Sequence, residues 1–128
     1  MIVVVAAVIE RDGSFLVTRR LEGTHLGGLW EFPGGKVASG ETHAAALARE
    51  IREELDAEVE VGALVYETEF TYGDRWISLH FYRCTLRGAP RPLLGQQMQW
   101  VPRGELQALD FPPADADLIR LLVQPDAR

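Results

Sequence analysis

Residues 34–55 read GGKVASGETHAAALAREIREEL: a glycine pair, then Glu41, then an alanine-rich run ending Arg49-Glu50-Ile51-Arg52-Glu53-Glu54-Leu55. The run predicts a helix over Thr42 to Leu55, with the Thr42 hydroxyl as its N-cap. At ~100° per residue, Ala44, Leu47, Ala48, Ile51 and Leu55 share a face that packs against a sheet. Glu50, Glu53 and Glu54 lie on an adjacent face roughly 120° away. Like charges at i, i+3 and i+4 repel by a few tenths of a kcal/mol per pair, so stability alone does not select this pattern. Clustered carboxylates instead suit hard cations such as Mg²⁺ or Mn²⁺. A substrate with adjacent phosphates would complete the coordination. Glycines ahead of the helix let backbone groups approach metal or phosphate. The plain alternative is a solvated acidic helix face, the usual meaning of an isolated Glu-Glu pair.

Working outward, Ile2 to Ile9 is β-branched and apolar, as in a central strand. Arg11-Asp12-Gly13-Ser14 is a turn, followed by a strand from Phe15 to Thr18. Residues 21–28 read as loop, and Leu29 to Phe32 as a short extended piece before Pro33. Pro33-Gly34-Gly35 reads as a chain break, with loop from Lys36 to Gly40. Glu58 to Phe70 and Arg75 to Leu86 form a hairpin around Tyr72-Gly73-Asp74. Beyond a Pro/Gly-rich connection come a short strand from Gln99 to Val101 and a short helix from Arg103 to Ala108. A rigid turn at Asp110-Phe111-Pro112-Pro113 precedes a final helix from Ala114 to Val123. The elements lack a βαβ rhythm, and a mixed sheet with helices on both faces is expected.

The chain has 128 residues, the size of one domain over 1–128. Its net charge is −6. Residues 41–60 hold seven carboxylates against two arginines, so nearly all the excess sits in the segment just described. A grip on long nucleic acid needs a basic surface, which is missing here. No 18-residue apolar run predicts a membrane span. Met1 to Ile9 is too short, and lacks the basic flank, for a signal peptide. The single cysteine, Cys84, excludes an internal disulfide and a cysteine-based zinc site; it reads as core packing, and the compartment as cytoplasmic. Trp30, Trp76 and Trp100 each read as core.

Gly35-x5-Glu41-x7-Arg49-Glu50-Ile51-x-Glu53-Glu54 resembles the Nudix box, G-x5-E-x7-R-E-U-x-E-E-x-G-U, where U is bulky and aliphatic. The closing Gly-U pair is replaced by Asp56-Ala57. Asp tolerates the left-handed conformation that this glycine normally adopts, so a structural cost is expected without catalytic damage. The resemblance implies an α+β fold, the Nudix α/β/α sandwich with a mixed central sheet. It also implies hydrolysis of nucleoside diphosphates linked to another group. Glu50, Glu53 and Glu54 would bind catalytic Mg²⁺ (Mn²⁺ as substitute), joined by the Gly35 carbonyl. Arg49 would orient a catalytic carboxylate, Glu41 would hold that network from the loop, and Glu50 would stand nearest to the general base.

Within the family the chain most resembles the MutT type, which removes oxidised guanine nucleotides such as 8-oxo-dGTP, releasing monophosphate and pyrophosphate. The likeness rests on Thr18-Arg19-Arg20, Trp30-Glu31-Phe32-Pro33-Gly34-Gly35-Lys36, Asp74-Arg75 and Asp110-Phe111-Pro112-Pro113-Ala114. It implies nucleotide contacts from Arg20, His25, Asp74 and Arg75, and base contacts from the Phe32 backbone and Asp115. Two departures stand out. The MutT type has Asn where Asp115 stands. An ionised Asp only accepts hydrogen bonds, which leaves guanine and cytosine readings open, the latter as a (d)CTP pyrophosphohydrolase; an N-cap of the last helix is the structural alternative. Leu94 stands at a position often held by another metal-binding Glu, with Gln96 or Gln97 as substitutes through water. The partner expected is a free nucleotide, with no long nucleic acid and no membrane, and the protein a monomer or homodimer. A non-catalytic Nudix-like binding module is the alternative of another class, but such modules have usually lost the box carboxylates.

Overall fold

The computed structural model describes residues 1–24 and 26–124. Seven strands and two helices follow in the order β1 (Ile2–Arg11), β2 (Ser14–Arg19), β3 (Trp30–Glu31), β4 (Gly34–Lys36), α1 (His43–Leu55), β5 (Glu58–Tyr72), β6 (Arg75–Arg87), β7 (Gln97–Pro102) and α2 (Ala116–Val123). Two 3₁₀ segments, Arg103–Ala108 and Pro113–Asp115, precede α2.

β1 is the hinge of the architecture. It runs parallel to β6 from Ile2↔Ile77 to Ile9↔Cys84, and antiparallel to β4 on its other side. β5 pairs antiparallel with β6 at the sheet edge. The far end of β1 turns into β2, which pairs antiparallel with β3 and β7. The sheet is therefore mixed. Alternation along β1 sends Val5, Ala7 and Ile9 to one face and Ala6 and Val8 to the other. The first set packs with Leu47, Ile51 and Leu55 of α1. The second packs with Leu118, Ile119 and Leu122 of α2. Because every buried position of this strand is apolar, both faces need a covering layer. This is the α/β/α sandwich with helices on both faces.

Four local expectations change. Gly34–Lys36 is strand, not a break: a Cβ at Gly34 would lie 2.0 Å from the Val5 carbonyl oxygen, so only glycine lets β4 close onto β1. The packed face of α1 keeps Leu47, Ile51 and Leu55 as read but shifts at its edge. Ala46 is buried and Ala44 exposed, because two rows, Leu47/Ile51/Leu55 and Ala46/Glu50/Glu54, both turn toward the sheet. The final helix begins at Ala116, after the 3₁₀ turn. Trp76 is not core: it is 51% exposed, and its indole N–H donates to Glu69 at 2.9 Å. Cys84 is buried as expected, and no helix among the described residues is long and apolar enough to cross a membrane.

Thr42 caps α1 as read, its hydroxyl accepting from the Ala45 N–H at 3.1 Å. At the other end Asp56 takes the left-handed conformation, φ 52° and ψ 45°, and its carboxylate meets Arg91. Asp56→Ala should therefore cost about 1 kcal/mol, since Ala keeps the Cβ strain and loses the polar compensation. Asp56→Gly should be neutral or stabilising, the relieved strain offsetting the lost pair. Thermal melts of the two variants check the contrast.

Candidate active site

β4 and α1 meet at the glycine pair. A Cβ on Gly35 would lie 2.3 Å from Glu50 Oε2, so the missing side chain is what admits that carboxylate. Arg49 is the hub beside it. Its Nε and Nη2 grip Glu41 at 2.7 and 3.0 Å, and its Nη1 reaches Glu50 at 2.9 Å and Glu53 at 3.2 Å. A further bond of 3.1 Å to the Lys36 carbonyl ties the helix to the end of β4. The two-pronged Arg–carboxylate geometry fixes orientation as well as charge. Glu41 also accepts from the Ala38 N–H at 2.9 Å. These bonds, Arg49 first, pull the Glu41 carboxyl down to a pKa of about 2.

Glu54 lies one turn beyond Glu50, on the same inward row. Burial pushes its pKa well above the carboxylate range, and a hydrogen bond and charge repulsion from Glu50 add to the shift. The neutral acid form of Glu54 is thereby favoured. Glu53 is different: its side chain is 60% exposed and turned to Arg49. Among the described residues no three His, Cys, Asp or Glu side chains form a ready-made metal cage. The three carboxylates expected together differ in setting: Glu53 shares the Arg49 Nη1 with Glu50 but is the exposed one, and its charge still acts on Glu54.

Glu54 and Gly35 line a cleft of about 670 Å³ that also receives Arg20, Phe32, Arg75 and Asp115. Its apolar wall comes from Ile2, Val4, Leu79 and Phe81. The size and the few converging polar groups suit a small-molecule site. Phe32 stacks on Phe111 at 5.4 Å and meets Phe81 edge-on at 5.9 Å. The Asp110 carbonyl accepts from the Trp30 N–H at 2.8 Å, which hangs the segment before α2 over the cleft.

Asp115 departs most from expectation. It is 5% exposed, yet its side chain makes no cap on α2, and among the described residues no hydrogen bond reaches its carboxyl. Burial, with help from the charge of Glu31, raises its pKa to about 7. The N-cap alternative is therefore not what the structure shows, and burial favours the neutral acid. Asp74, at the hairpin tip, is exposed and does not line the cleft, although its neighbour Arg75 does. His25 lies outside the described residues.

Sequence reasoning passed over Glu31. It pairs with Arg20 at 3.0 Å, lines the cleft and has its own pKa raised by burial. Its charge acts on both Glu54 and Asp115, so it stands between the two ends of the site. Gln96 and Gln97 are committed elsewhere. Gln96 bonds backbone at both ends of its amide, and the Gln97 Oε1 accepts from Arg19 at 3.1 Å.

Residues 4–121 match the family described as NUDIX domain. The chain belongs to the Nudix family. It is 41% identical over 126 residues to the 8-oxo-dGTP diphosphatase of Haemophilus influenzae, covering 96% of this chain and 92% of that one. It is also 41% identical over 119 residues to the CTP pyrophosphohydrolase of Escherichia coli, covering 92% of this chain and 87% of that one. The solution structure of the E. coli ORF135 protein superposes with a TM-score of 0.84 at 39% identity, covering 94% of this chain and 86% of that one. As a Nudix hydrolase, the chain belongs among enzymes that act on phosphoric anhydrides.

Proposed function

We propose that this Nudix domain is a divalent-cation-dependent nucleoside triphosphate pyrophosphohydrolase that converts 8-oxo-dGTP to 8-oxo-dGMP and pyrophosphate. The observation that carries the reading is one cleft lined by Glu54 and Gly35 and also by Asp115, a largely buried residue whose carboxyl opens on it. A base with N–H groups satisfies the second while the phosphates lie against the first. The name of the H. influenzae relative supports the oxidised guanine nucleotide. The acidic net charge supports a free nucleotide over long nucleic acid.

Two features support a cation site. Burial and the Glu50 carboxyl beside it favour the protonated form of Glu54, the state from which a cation releases the proton. Gly35 also leaves the space beside Glu50 clear. Glu50, Glu54 and the Gly35 carbonyl would hold Mg²⁺ or Mn²⁺, with Glu53 joining on leaving Arg49. When bound, the ion supplies charge neutralisation at phosphoryl oxygens and a more acidic water. Glu50 would be the carboxylate nearest to the attacking water and so the residue to take its proton, with Arg49 bonded to its Oε1. Arg49 keeps that carboxylate oriented, and Glu41 keeps Arg49 in place. Arg20 and Arg75 line the cleft as cations for the nucleotide.

A nucleotide panel with Mg²⁺ in ¹⁸O-water tests this. Monophosphate and pyrophosphate are expected as the only products, with the label in pyrophosphate and 8-oxo-dGTP first in kcat/KM. Inorganic phosphate as the direct product would overturn the bond assignment. CTP or dCTP at the head of the ranking would favour the second reading, which the E. coli relative's name supports.

A further inference from the structure

The carbonyls at the C-terminal end of α1 have no partners within the helix. Most of their partners come from the connection between β6 and β7. The Arg91 N–H donates to the Leu55 carbonyl at 2.8 Å, and the Leu93 N–H to the Glu54 carbonyl at 2.9 Å. Gln96 adds a second donor to that same oxygen, its Nε2 lying 3.2 Å away. The other end of its amide accepts from the Leu94 N–H at 2.8 Å. Gln96 is 9% exposed, so this amide spans two backbone segments largely shielded from water.

The choice of residue is informative. Both lone pairs of the Glu54 carbonyl are engaged, and both donors come from one short loop. The backbone of Glu54 is thereby fixed at the point where its side chain leaves for the cleft. The neighbouring Leu94 side chain is 56% exposed and offers no donor or acceptor. A second, smaller cleft of about 220 Å³ adjoins the first and is lined by Arg20, Glu31, Glu54, Leu94 and Gln96. Gln96 and Glu54 are thus neighbours in space as well as hydrogen-bonded. Arg91 braces the same loop differently, through its ion pair with Asp56. That brace ends at the helix cap and does not touch Glu54.

We propose that Gln96 is a positioning residue: its amide locks the Glu54 backbone to the 91–96 loop and so holds the Glu54 carboxyl where a divalent cation can be shared with Glu50. This rests on the reading of Glu54 as a cation ligand. The amide acts through Glu54 and touches neither substrate nor cation. Partners that orient a ligand in this way are worth about 10–100-fold in metal affinity.

The test is Mn²⁺ binding to the nucleotide-free protein, followed by calorimetry and by the EPR signal of free Mn²⁺. Gln96→Met keeps the volume and removes both hydrogen bonds. It should weaken Mn²⁺ binding about tenfold or more and lower kcat with little change in nucleotide KM. Arg91→Ala loosens the same loop without removing a donor from the Glu54 carbonyl, and should bind Mn²⁺ like the wild type. Equal weakening in both variants would overturn the proposal, since general loop order would then be the cause. Wild-type binding in Gln96→Met alongside lost binding in Glu54→Gln would overturn it while leaving the proposed function intact. Wild-type binding in Glu54→Gln would remove the cation reading, and the positioning role with it. Should Gln96→Met not fold, Gln96→Asn keeps the amide but cannot span both segments, and is judged by the same outcomes.

Discussion

Glu54→Gln should lower kcat on the order of 10³-fold and leave the metal-free protein as stable as the wild type. The two halves of this expectation have one cause. Burial and the Glu50 carboxyl keep Glu54 protonated at neutral pH when no cation is present. A glutamine amide is close in shape to that neutral acid, so the metal-free fold loses little. What it cannot do is release a proton and become a carboxylate ligand. Divalent cation should therefore raise the melting temperature of the wild type and not of the variant, because only a state that binds the ion gains from it. A melt with and without Mg²⁺, run beside the activity assay, separates the two effects. Near-wild-type turnover with an intact Mg²⁺-dependent melting shift would remove Glu54 from the site.

The site was legible where its chemistry is local in sequence. Glu41 and Arg49 are eight residues apart, and a loop leading into a helix brings them together as read, at 2.7 Å. Glu50 and Glu54 follow from the four-residue helical repeat alone. Glu53 shows the limit of that logic. Spacing places it on the same turn but does not reveal that Arg49, also four residues away, binds it together with Glu50 or that it stays exposed. Glu31 was illegible for another reason. A Glu between Trp30 and Phe32 looks like ordinary strand alternation. Its role comes from β3 carrying it between the α1 carboxylates and the segment before α2, a long-range fact. Asp74 fails in the opposite sense: it sits beside a cleft residue in sequence, but the hairpin tip turns it to solvent.

The fold was legible through periodicity, and its errors are instructive. The apolar run of β1 signals burial on both faces, and the structure supplies α1 on one side and α2 on the other. Gly34 and Gly35 were read as a break because glycine weakens isolated strands. Here the pairing of β4 with β1 outweighs local preference, since no other residue clears the Val5 carbonyl. The centre of the α1 face, Leu47, Ile51 and Leu55, is buried as read, and only its edge shifts, from Ala44 to Ala46. Glu50 and Glu54 lie along the packed flank, where a cleft opens beside β4.

The ratio of kcat/KM for 8-oxo-dGTP to that for CTP should climb as pH rises through about 7, about tenfold or more between pH 6 and 8. Asp115 supplies the reason, with its buried carboxyl lining the cleft and its pKa raised to about 7. Above that pH the carboxylate only accepts hydrogen bonds, and the adjacent N–H groups of a guanine edge match it. Below it, the acid offers one donor and one acceptor, which match the ring nitrogen and amino group of cytosine. Asp115→Asn cannot titrate, so its ratio should be flat over the same range. Glu31→Gln should move the wild-type inflection to lower pH, because the Glu31 charge opposes ionisation of Asp115. Stability must follow with a defined sign. The folded pKa lies above the ordinary aspartate value of 3.8, so the folded state binds the proton more tightly than the unfolded chain. Stability from Asp115 is therefore complete below pH ~4 and falls until pH ~7, by a few kcal/mol at most. Asp115→Asn should recover that loss at pH 8 and gain nothing at pH 4, as denaturant midpoints at the two pH values will show. An Asn variant that keeps the wild-type pH dependence of the ratio would shift base reading away from Asp115, to Glu31 and the Phe32 backbone.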